Sequence, residues 1–182
     1  MKAKKLILTI LLVLAACFLA KSLVYHDLYR LQYKGYILES SEKYDVDPYL
    51  VMAVVNTESK FNKNALSSSG AVGLMQLTES TAKWVAQSSG DREFELSDLY
   101  NPKKNIEMGV WYIHNLQQEF GRTDLVLAAY NAGRGNVEKW LSDGELSKDG
   151  QTLSKIPYEE TRNYLKKVLA GERIYRMLYK AD

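Results

Sequence analysis

Glu58 has the residue type and the chain position that a general acid needs. It follows Val51, Val54 and Val55 by seven, four and three positions, so on a helix it falls on the same apolar stripe. Burial there disfavours the charged carboxylate, and the negative end of the helix dipole adds to this effect. Both raise the pKa and favour the protonated acid near neutral pH, the state that proton donation requires. A glutamate that only interrupts the stripe and reaches water is the alternative on this helix alone.

Two later segments carry polar side chains suited to saccharides. The first contains the hydroxyl of Ser67, the conformationally free Gly73 and the amide of Gln76, which both donates and accepts hydrogen bonds. The second pairs Tyr130 with Asn131, so that an aromatic ring can cover an apolar sugar face while an amide binds its edge. Taken alone, each segment is also consistent with a surface loop or a helix end that has no binding function.

Composition narrows the classes of protein that fit. The chain has 182 residues, of which 46% are hydrophobic and 25% are charged, values typical of one globular domain with a short appendage. A net charge of +2 is too small to indicate a nucleic-acid partner. One cysteine and two histidines provide neither a disulfide framework nor a zinc cage. We therefore expect no nucleic-acid partner, no disulfide framework and no zinc cage.

Residues 1–24 have the pattern of an export signal or a membrane anchor. Three lysines precede an uninterrupted apolar run at residues 6–20. A buried core helix is the alternative, but this run lacks the polar face of such a helix. The segment is either retained in the membrane through residues 6–24, cleaved, or lipidated at Cys17, which ends a short motif resembling a bacterial lipobox. All three outcomes place the rest of the chain outside the cytoplasm.

The remaining chain has helix signals and no run of alternating residues that favours a strand. Residues 25–39 are predicted as a stalk leading into a first helix near 35–44. Asp47 and Asn101 are good N-caps, and each is followed by a proline that the first helical position tolerates. Further helices are predicted at residues 47–59, 78–87, 101–120, 125–131, 136–141 and 158–179, with a polar loop at 142–154. The fold class is one mainly α domain.

Three ordered motifs resemble the soluble, Slt-type lytic transglycosylases of bacteria. They are Glu58-Ser59 followed by GAVGLMQ at residues 70–76, AYNAG at 129–133 and IPYEETRNY at 156–164. The resemblance covers about residues 40–180 and implies a catalytic domain at 40–182. It also implies a lysozyme-like fold of the α+β superfamily, related to goose-type lysozyme. The implied reaction cleaves the bond between N-acetylmuramic acid and N-acetylglucosamine in peptidoglycan and leaves 1,6-anhydromuramoyl ends.

The resemblance implies a role for each residue of the first motif. Glu58 corresponds to the catalytic acid, and Ser67 to a serine that hydrogen-bonds near that acid. Gly73, Met75 and Gln76 belong to the motif that floors the cleft, where Gln76 reaches the sugar.

The other two motifs supply the opposite side of the implied cleft. Tyr130 and Asn131 correspond to a pair that faces the acid. Glu160 corresponds to a glutamate near the reacting sugar, whereas Arg162 and Tyr164 are expected to pack the last helix.

One departure from the family pattern lies directly after Gln76. The family commonly continues with Leu-Met-Pro, whereas this chain has Leu77, Thr78 and Glu79. Thr78 replaces a methionine that often touches substrate. We expect altered cleft packing rather than lost catalysis.

The resemblance implies an enzyme that needs no metal and no cofactor. We expect it to bind peptidoglycan glycan strands as a monomer and to work on the outer face of the cell membrane or in the wall. A hydrolytic muramidase on the same fold is a competing candidate, and it requires a second group to handle water. Asp45 and Asp47 precede Glu58 on the far side of its helix, so Glu160 is the candidate that the motif suggests. A non-catalytic peptidoglycan-binding module and a tethered structural helical domain are two further candidates.

Overall fold

The structure, a computed structural model, describes residues 2–23 and 28–179. The chain divides into two compact units, residues 1–32 and residues 33–182. Residue 24 of the predicted membrane segment, residues 25–27 of the predicted stalk and residues 180–182 of the predicted domain lie outside the described residues.

The first unit contains helix α1, Lys2–Leu23. Several apolar side chains of this helix, among them Leu12 and Phe18, are exposed. Within residues 2–23 and 28–179, no helix combines the length and the apolar character needed to cross a membrane. The membrane segment expected at residues 6–24 is therefore not supported by the structure.

The second unit begins with two helices that the sequence predicted closely, α2 (Lys34–Tyr44) and α3 (Pro48–Ser59). Asp47 caps α3 by accepting a 2.8 Å hydrogen bond from the backbone N–H of Tyr49. The residues from Leu50 to Val55 are buried, so α3 is the central helix of the core.

Helices α4 (Glu79–Ser89) and α5 (Pro102–Phe120) follow, joined through a 3₁₀ helix at Leu96–Tyr100 that the sequence pattern did not predict. The Thr78 hydroxyl caps α4 by accepting from the backbone N–H of Thr81. The Asn101 side chain caps α5 in the same way, accepting from two backbone N–H groups. Gly121 ends α5 with a φ of 69°, a conformation that favours glycine.

The last three helices are α6 (Thr123–Ala132), α7 (Arg134–Ser142) and α8 (Glu159–Leu178). Gly133 separates α6 from α7 with a φ of 90°. Helix α3 packs against α8 along much of its length, and α6 contacts α5, α7 and α8. These contacts bring the C-terminal end of α3 close to the first turns of α8.

The prediction of a mainly α domain is confirmed. In the described part of the chain the only β-type pairings are isolated bridges, Leu66 with Val72 and Val72 with Leu77. Both bridges lie in the loop between α3 and α4. They close this loop into a compact turn next to Glu58.

Candidate active site

Glu58 lies in the last turn of α3, partly buried, with its carboxyl facing α8 rather than bulk water. Burial raises the pKa of Glu58 from 4.5 to about 7, and the negative charge of nearby Glu160 adds to the increase. The Tyr164 hydroxyl acts in the opposite direction and lowers this pKa. The outcome is a carboxyl group whose protonated and ionised forms are both populated near neutral pH.

A cleft of about 260 Å³ opens in front of this carboxyl. It is lined by residues from α3, the following loop and α4, and from α5, α6 and α8, namely Glu58, Ser67, Ser69, Ala71, Gln76, Leu77, Thr78, Thr81, Tyr112, Tyr130, Asn131 and Glu160. Six of the eight predicted site residues are in this set. The structure thus brings together three motifs that lie far apart along the chain.

The loop at residues 72–76 is held by side chains from three helices. Ser59 at the end of α3 donates a 2.8 Å hydrogen bond to the carbonyl of Leu74. Tyr130 of α6 donates a 2.7 Å hydrogen bond to the carbonyl of Met75. The fully buried Asn105 of α5 accepts from the backbone N–H of Met75 at 2.8 Å. Because this loop is fixed to rigid elements, the Gln76 side chain that it carries into the cleft lining is preorganised.

Both the oxygen and the nitrogen of the Asn105 side-chain amide make hydrogen bonds to this part of the structure. Besides accepting from Met75, it donates to the carbonyls of Val72 and Leu99 at 3.0 and 2.8 Å. Gly73, with a φ of 79°, passes so close to it that a Cβ would lie 2.9 Å from Asn105 Cγ. A side chain at Gly73 is therefore excluded both by the backbone conformation and by the lack of space.

Gly73 and Met75 were expected from the sequence to bind substrate, but the structure does not place them in the cleft. Neither lines the cleft, and the Met75 side chain is completely buried against α5. Gly109 makes room for it, since a Cβ there would lie 2.9 Å from Met75 Cβ. The two residues of the loop therefore position their neighbour Gln76. The one-turn spacing of Asn105 and Gly109 on α5 is a sequence signal that could have indicated this support.

Gln76 lines the cleft and has a positive φ of 49°, unusual for a residue with a side chain. Its Nε2 donates to the carbonyls of Ala65 and Gly73 at 3.2 and 2.9 Å. The amide nitrogen is thus committed to its own loop. The Oε1 atom is left as an acceptor for a ligand hydroxyl or N–H.

Ser67 also lines the cleft, but its hydroxyl is used locally. It accepts from the backbone N–H of Ala71 at 2.9 Å and lies 2.9 Å from the hydroxyl of Ser69. In this structure it makes no hydrogen bond to Glu58. The serine cluster stabilises the loop edge and presents hydroxyl groups to the cleft.

Tyr130 and Asn131 form the wall contributed by the end of α6. Burial raises the pKa of Tyr130 well above its usual value, and the charge of Glu58 raises it further. The ring of Tyr112 lies 5.5 Å from that of Tyr130, centroid to centroid, and continues the aromatic wall. Tyr130 therefore stays neutral and contributes an aromatic surface and a structural hydrogen bond.

Helix α8 contributes Glu160 from its first turn and Tyr164 one turn later. Arg162 donates to the carbonyls of Ile156 and Pro157, both at 2.7 Å, and so holds the chain entering α8. The Tyr164 hydroxyl is buried beside Glu58 and makes no well-formed hydrogen bond with any described residue. From the sequence Tyr164 was expected to pack the last helix, although its four-residue spacing from Glu160 places both on one face of α8.

A second cavity, of about 320 Å³, also borders Glu58. It shares Asn131 and Glu160 with the cleft and is otherwise lined by Thr57, Asn163, Tyr164 and Lys167. Glu58 is thus bordered by cavity on two sides.

Within residues 2–23 and 28–179, no group of three or more histidine, cysteine or acidic side chains is arranged to hold a metal ion. Asp47 caps α3 and pairs with Arg176, away from the cleft lining. The chemistry that the described groups support is proton transfer by Glu58 to a polar ligand.

Comparison with known proteins gives consistent matches. The model of the Transglycosylase SLT domain family matches residues 35–151. "Putative soluble lytic murein transglycosylase" of Haemophilus influenzae is 36% identical over 149 residues, which are 80% of this chain and 25% of that protein. Membrane-bound lytic murein transglycosylase C of Serratia proteamaculans is 35% identical over 167 residues, covering 80% of this chain and 47% of that protein.

A solved structure matches as well. The inactive glutamate-to-glutamine variant of lytic transglycosylase Slt from Pseudomonas aeruginosa superimposes with a TM-score of 0.72 at 30% sequence identity. The match covers 82% of this chain and 24% of that protein. The chain thus spans half or less of the length of the relatives described here.

Proposed function

This chain belongs to the transglycosylase SLT family, and from that membership and the surroundings of Glu58 we propose that it is a lytic transglycosylase acting on peptidoglycan. The observation that carries the proposal is a carboxyl group with a pKa of about 7, bordered on two sides by polar cavities. Such a group holds a proton near neutral pH and releases it readily, which a general acid must do.

The reaction begins with proton transfer. Protonated Glu58 donates to the oxygen that links N-acetylmuramic acid to N-acetylglucosamine, and the bond from that oxygen to the anomeric carbon breaks. The N-acetyl carbonyl of the muramoyl residue stabilises the positive charge that develops at the anomeric carbon. Glu58 is now an anion in a partly buried site, where its raised pKa makes it a stronger base than an exposed glutamate.

Ring closure completes the reaction. The Glu58 carboxylate removes the proton of the C6 hydroxyl of the same sugar, and that oxygen bonds to the anomeric carbon. One C–O bond is broken and one is formed, and through Glu58 the leaving oxygen gains a proton while the C6 hydroxyl loses one. No water is consumed, and Glu58 ends the reaction protonated. The products are a 1,6-anhydromuramoyl end and a free hydroxyl on N-acetylglucosamine.

The other cleft residues bind and orient the glycan strand. Gln76 presents its Oε1 to sugar hydroxyl or N–H groups, and Asn131 offers a further amide. Tyr130 and Tyr112 provide an aromatic wall, and the Ser67 cluster provides hydroxyls at the loop edge. Thr78 lies in the cleft lining and caps α4, so its departure from the family pattern alters the cleft surface without removing a proton-transfer group.

A hydrolytic muramidase is the second candidate, because Glu160 is a carboxylate in the lining of both cavities. In that mechanism a water replaces the C6 hydroxyl, and a second carboxylate activates it or stabilises the cation. Mass spectrometry of digested peptidoglycan separates the two. Anhydromuramoyl ends, lighter by one water, support the lytic transglycosylase, whereas reducing ends support the muramidase. Binding without either product supports a non-catalytic module.

We also propose that the protein acts as a monomer on the outer face of the cell membrane or in the wall, where peptidoglycan lies. The lysine-flanked apolar pattern at residues 1–24 supports export. The relative from Serratia proteamaculans is named membrane-bound. The N-terminal mass of the mature protein distinguishes cleavage from lipidation at Cys17 and from retention.

A further inference from the structure

A third cavity lies at the opposite end of α3 from Glu58. It has a volume of about 560 Å³ and is lined by side chains from the segment 38–49 and by Arg176 of α8. We call it the α2–α3 cavity, because the end of α2 and the start of α3 form most of it. Ten helical residues separate Pro48 in its lining from Glu58, which is about 15 Å along the helix axis. It shares no lining residue with the two cavities that border Glu58.

Ser41 of α2 lines this cavity with a hydroxyl group that lacks a partner. The residue is 4% exposed, and its hydroxyl oxygen makes no hydrogen bond with any residue that the structure describes. A buried hydroxyl without a partner costs free energy, and buried polar side chains are nearly always hydrogen-bonded for this reason. A polar ligand in the α2–α3 cavity would supply the missing partner.

The same face of α2 brings two carboxylates to the cavity. Glu42 follows Ser41 directly, and Asp45 is the residue that ends the helix. Both residues are exposed, and neither forms an ion pair within residues 2–23 and 28–179. The negative end of the α2 dipole lies at the same place and adds to their effect. The electrostatic potential of the cavity therefore favours a positively charged ligand.

Arg176 does not neutralise these two carboxylates. Its guanidinium pairs with Asp47 and, at 2.9 Å, with Glu172, and it lies 4.6 Å from the centroid of the Tyr49 ring. Its charge is thus already used by other groups. The lining as a whole has three carboxylates against this one guanidinium.

The rest of the lining favours an organic cation over a metal ion. Within residues 2–23 and 28–179, no three acidic, histidine or cysteine side chains are grouped so that they could hold a metal. Leu38, Val46 and Pro48 instead add an apolar wall beside the carboxylates. An alkyl chain can pack on such a wall while its charged end stays near the acids. An ammonium group has three N–H donors, which carboxylate and hydroxyl oxygens can accept.

We propose that the α2–α3 cavity binds a primary alkylammonium group. The ammonium donates to Glu42, Asp45 and the Ser41 hydroxyl, and the alkyl chain packs against Leu38 and Val46. A free aliphatic diamine and the lysine side chain of a partner polypeptide both supply this chemistry. The site is separate from the cleft, so binding does not depend on strand cleavage.

Calorimetric titration of the full chain at low ionic strength tests both sources. The probes are 1,5-diaminopentane and a terminally blocked tripeptide with a central lysine. The matched neutral probes are 1,5-pentanediol and the same tripeptide acetylated on the lysine side chain. Binding of one or both charged probes supports the proposal and identifies the source of the ammonium group. Binding of neither, or equal binding of the neutral probes, would overturn it.

Substitutions of the two carboxylates locate the binding. Glu42→Gln and Asp45→Asn should each weaken binding of the charged probe about three- to tenfold, as expected for a partly exposed charged contact. Asparagine tolerates the φ of 52° at position 45, so this change removes charge without straining the backbone. Glu39→Gln is the control, because Glu39 is an exposed glutamate of α2 outside the cavity. Unchanged affinity in both cavity variants, or an equal loss in Glu39→Gln, contradicts the assignment.

Ser41→Ala separates a binding role from a structural one. It removes a buried hydroxyl that has no partner, so the stability of the ligand-free protein should be unchanged or increased. The affinity for the charged probe should nevertheless fall, because the ammonium loses an acceptor. Weaker binding by a variant of undiminished thermal stability supports the proposal. Unchanged affinity would show that the hydroxyl takes no part in the site.

Discussion

The hydroxyl of Tyr130 donates a 2.7 Å hydrogen bond to the backbone carbonyl of Met75. Its proton is therefore committed to the loop that floors the cleft, and burial, which raises its pKa, keeps the phenol neutral. Tyr130 consequently joins α6 to the loop that presents Gln76. In the proposed mechanism, proton donation is therefore assigned to Glu58, whose pKa lies near neutrality.

Tyr130→Phe should destabilise the protein by about 1–3 kcal/mol, because it leaves the Met75 carbonyl without its partner. Chemical denaturation with urea measures this loss. Tyr100→Phe, which alters an exposed tyrosine outside the cleft lining, is the control. Equal stability of the two variants would show that the Tyr130 hydrogen bond contributes nothing.

Asn105→Ala should have a larger effect than Tyr130→Phe, since one buried amide satisfies three backbone groups. We expect a loss of at least about 2 kcal/mol and a lower rate of strand cleavage as the loop loses its position. Asn64→Ala removes an exposed amide as a control. A stable Asn105→Ala variant with full activity would refute the assigned support of the loop.

Replacing glycine by alanine should change the stability of the protein in opposite directions at two helical positions. At Gly109 the new Cβ meets Met75, so overpacking should destabilise the protein by about 1–3 kcal/mol. At Gly135 in α7 nothing lies within 4 Å, so alanine should stabilise the helix by up to about 1 kcal/mol. Thermal unfolding of both variants measures the contrast. Stabilisation by both substitutions would contradict the predicted overpacking at Gly109, because it would mean that Met75 and its loop shift at little energetic cost.

The pH dependence of cleavage should follow the ionisation of Glu58. The protonated acid is the active form and its pKa is about 7, so kcat/KM should fall as the pH rises through about 7. The Tyr164 hydroxyl lowers that pKa, and Tyr164→Phe should therefore move the alkaline decline to higher pH. Tyr158→Phe, an exposed tyrosine outside both cavities, should leave the profile in place. A decline that stays fixed or moves to lower pH in Tyr164→Phe would contradict this role.

Much of the fold follows from local signals. Asp47 and Asn101, each followed by proline, mark helix starts that the structure places at Pro48 and Pro102. Gly121 likewise marks the end of α5, because the positive φ required at that position depends on a single residue. The 3₁₀ helix at Leu96–Tyr100 was missed, since a single short turn carries no periodic pattern.

The site was predictable only in part, because its finer features depend on contacts between distant segments. The position of Glu58 on an apolar stripe is local, and so its raised pKa was expected before its surroundings were known. The role of Tyr164 depends on how α3 packs against α8, which no local pattern encodes. The inward orientation of Met75 depends likewise on the space that Gly109 leaves in α5.

The most direct test of the central claim is the product spectrum of Glu58→Gln on purified peptidoglycan. Glutamine keeps the size of the side chain but cannot donate the proton, so a loss of the order of 10²–10⁴ in rate is expected. Circular dichroism and thermal unfolding should show an intact fold, which separates lost chemistry from lost structure. The account predicts anhydromuramoyl ends from the unmodified protein and essentially none from Glu58→Gln. Release of these ends by the variant at the unmodified rate would contradict it.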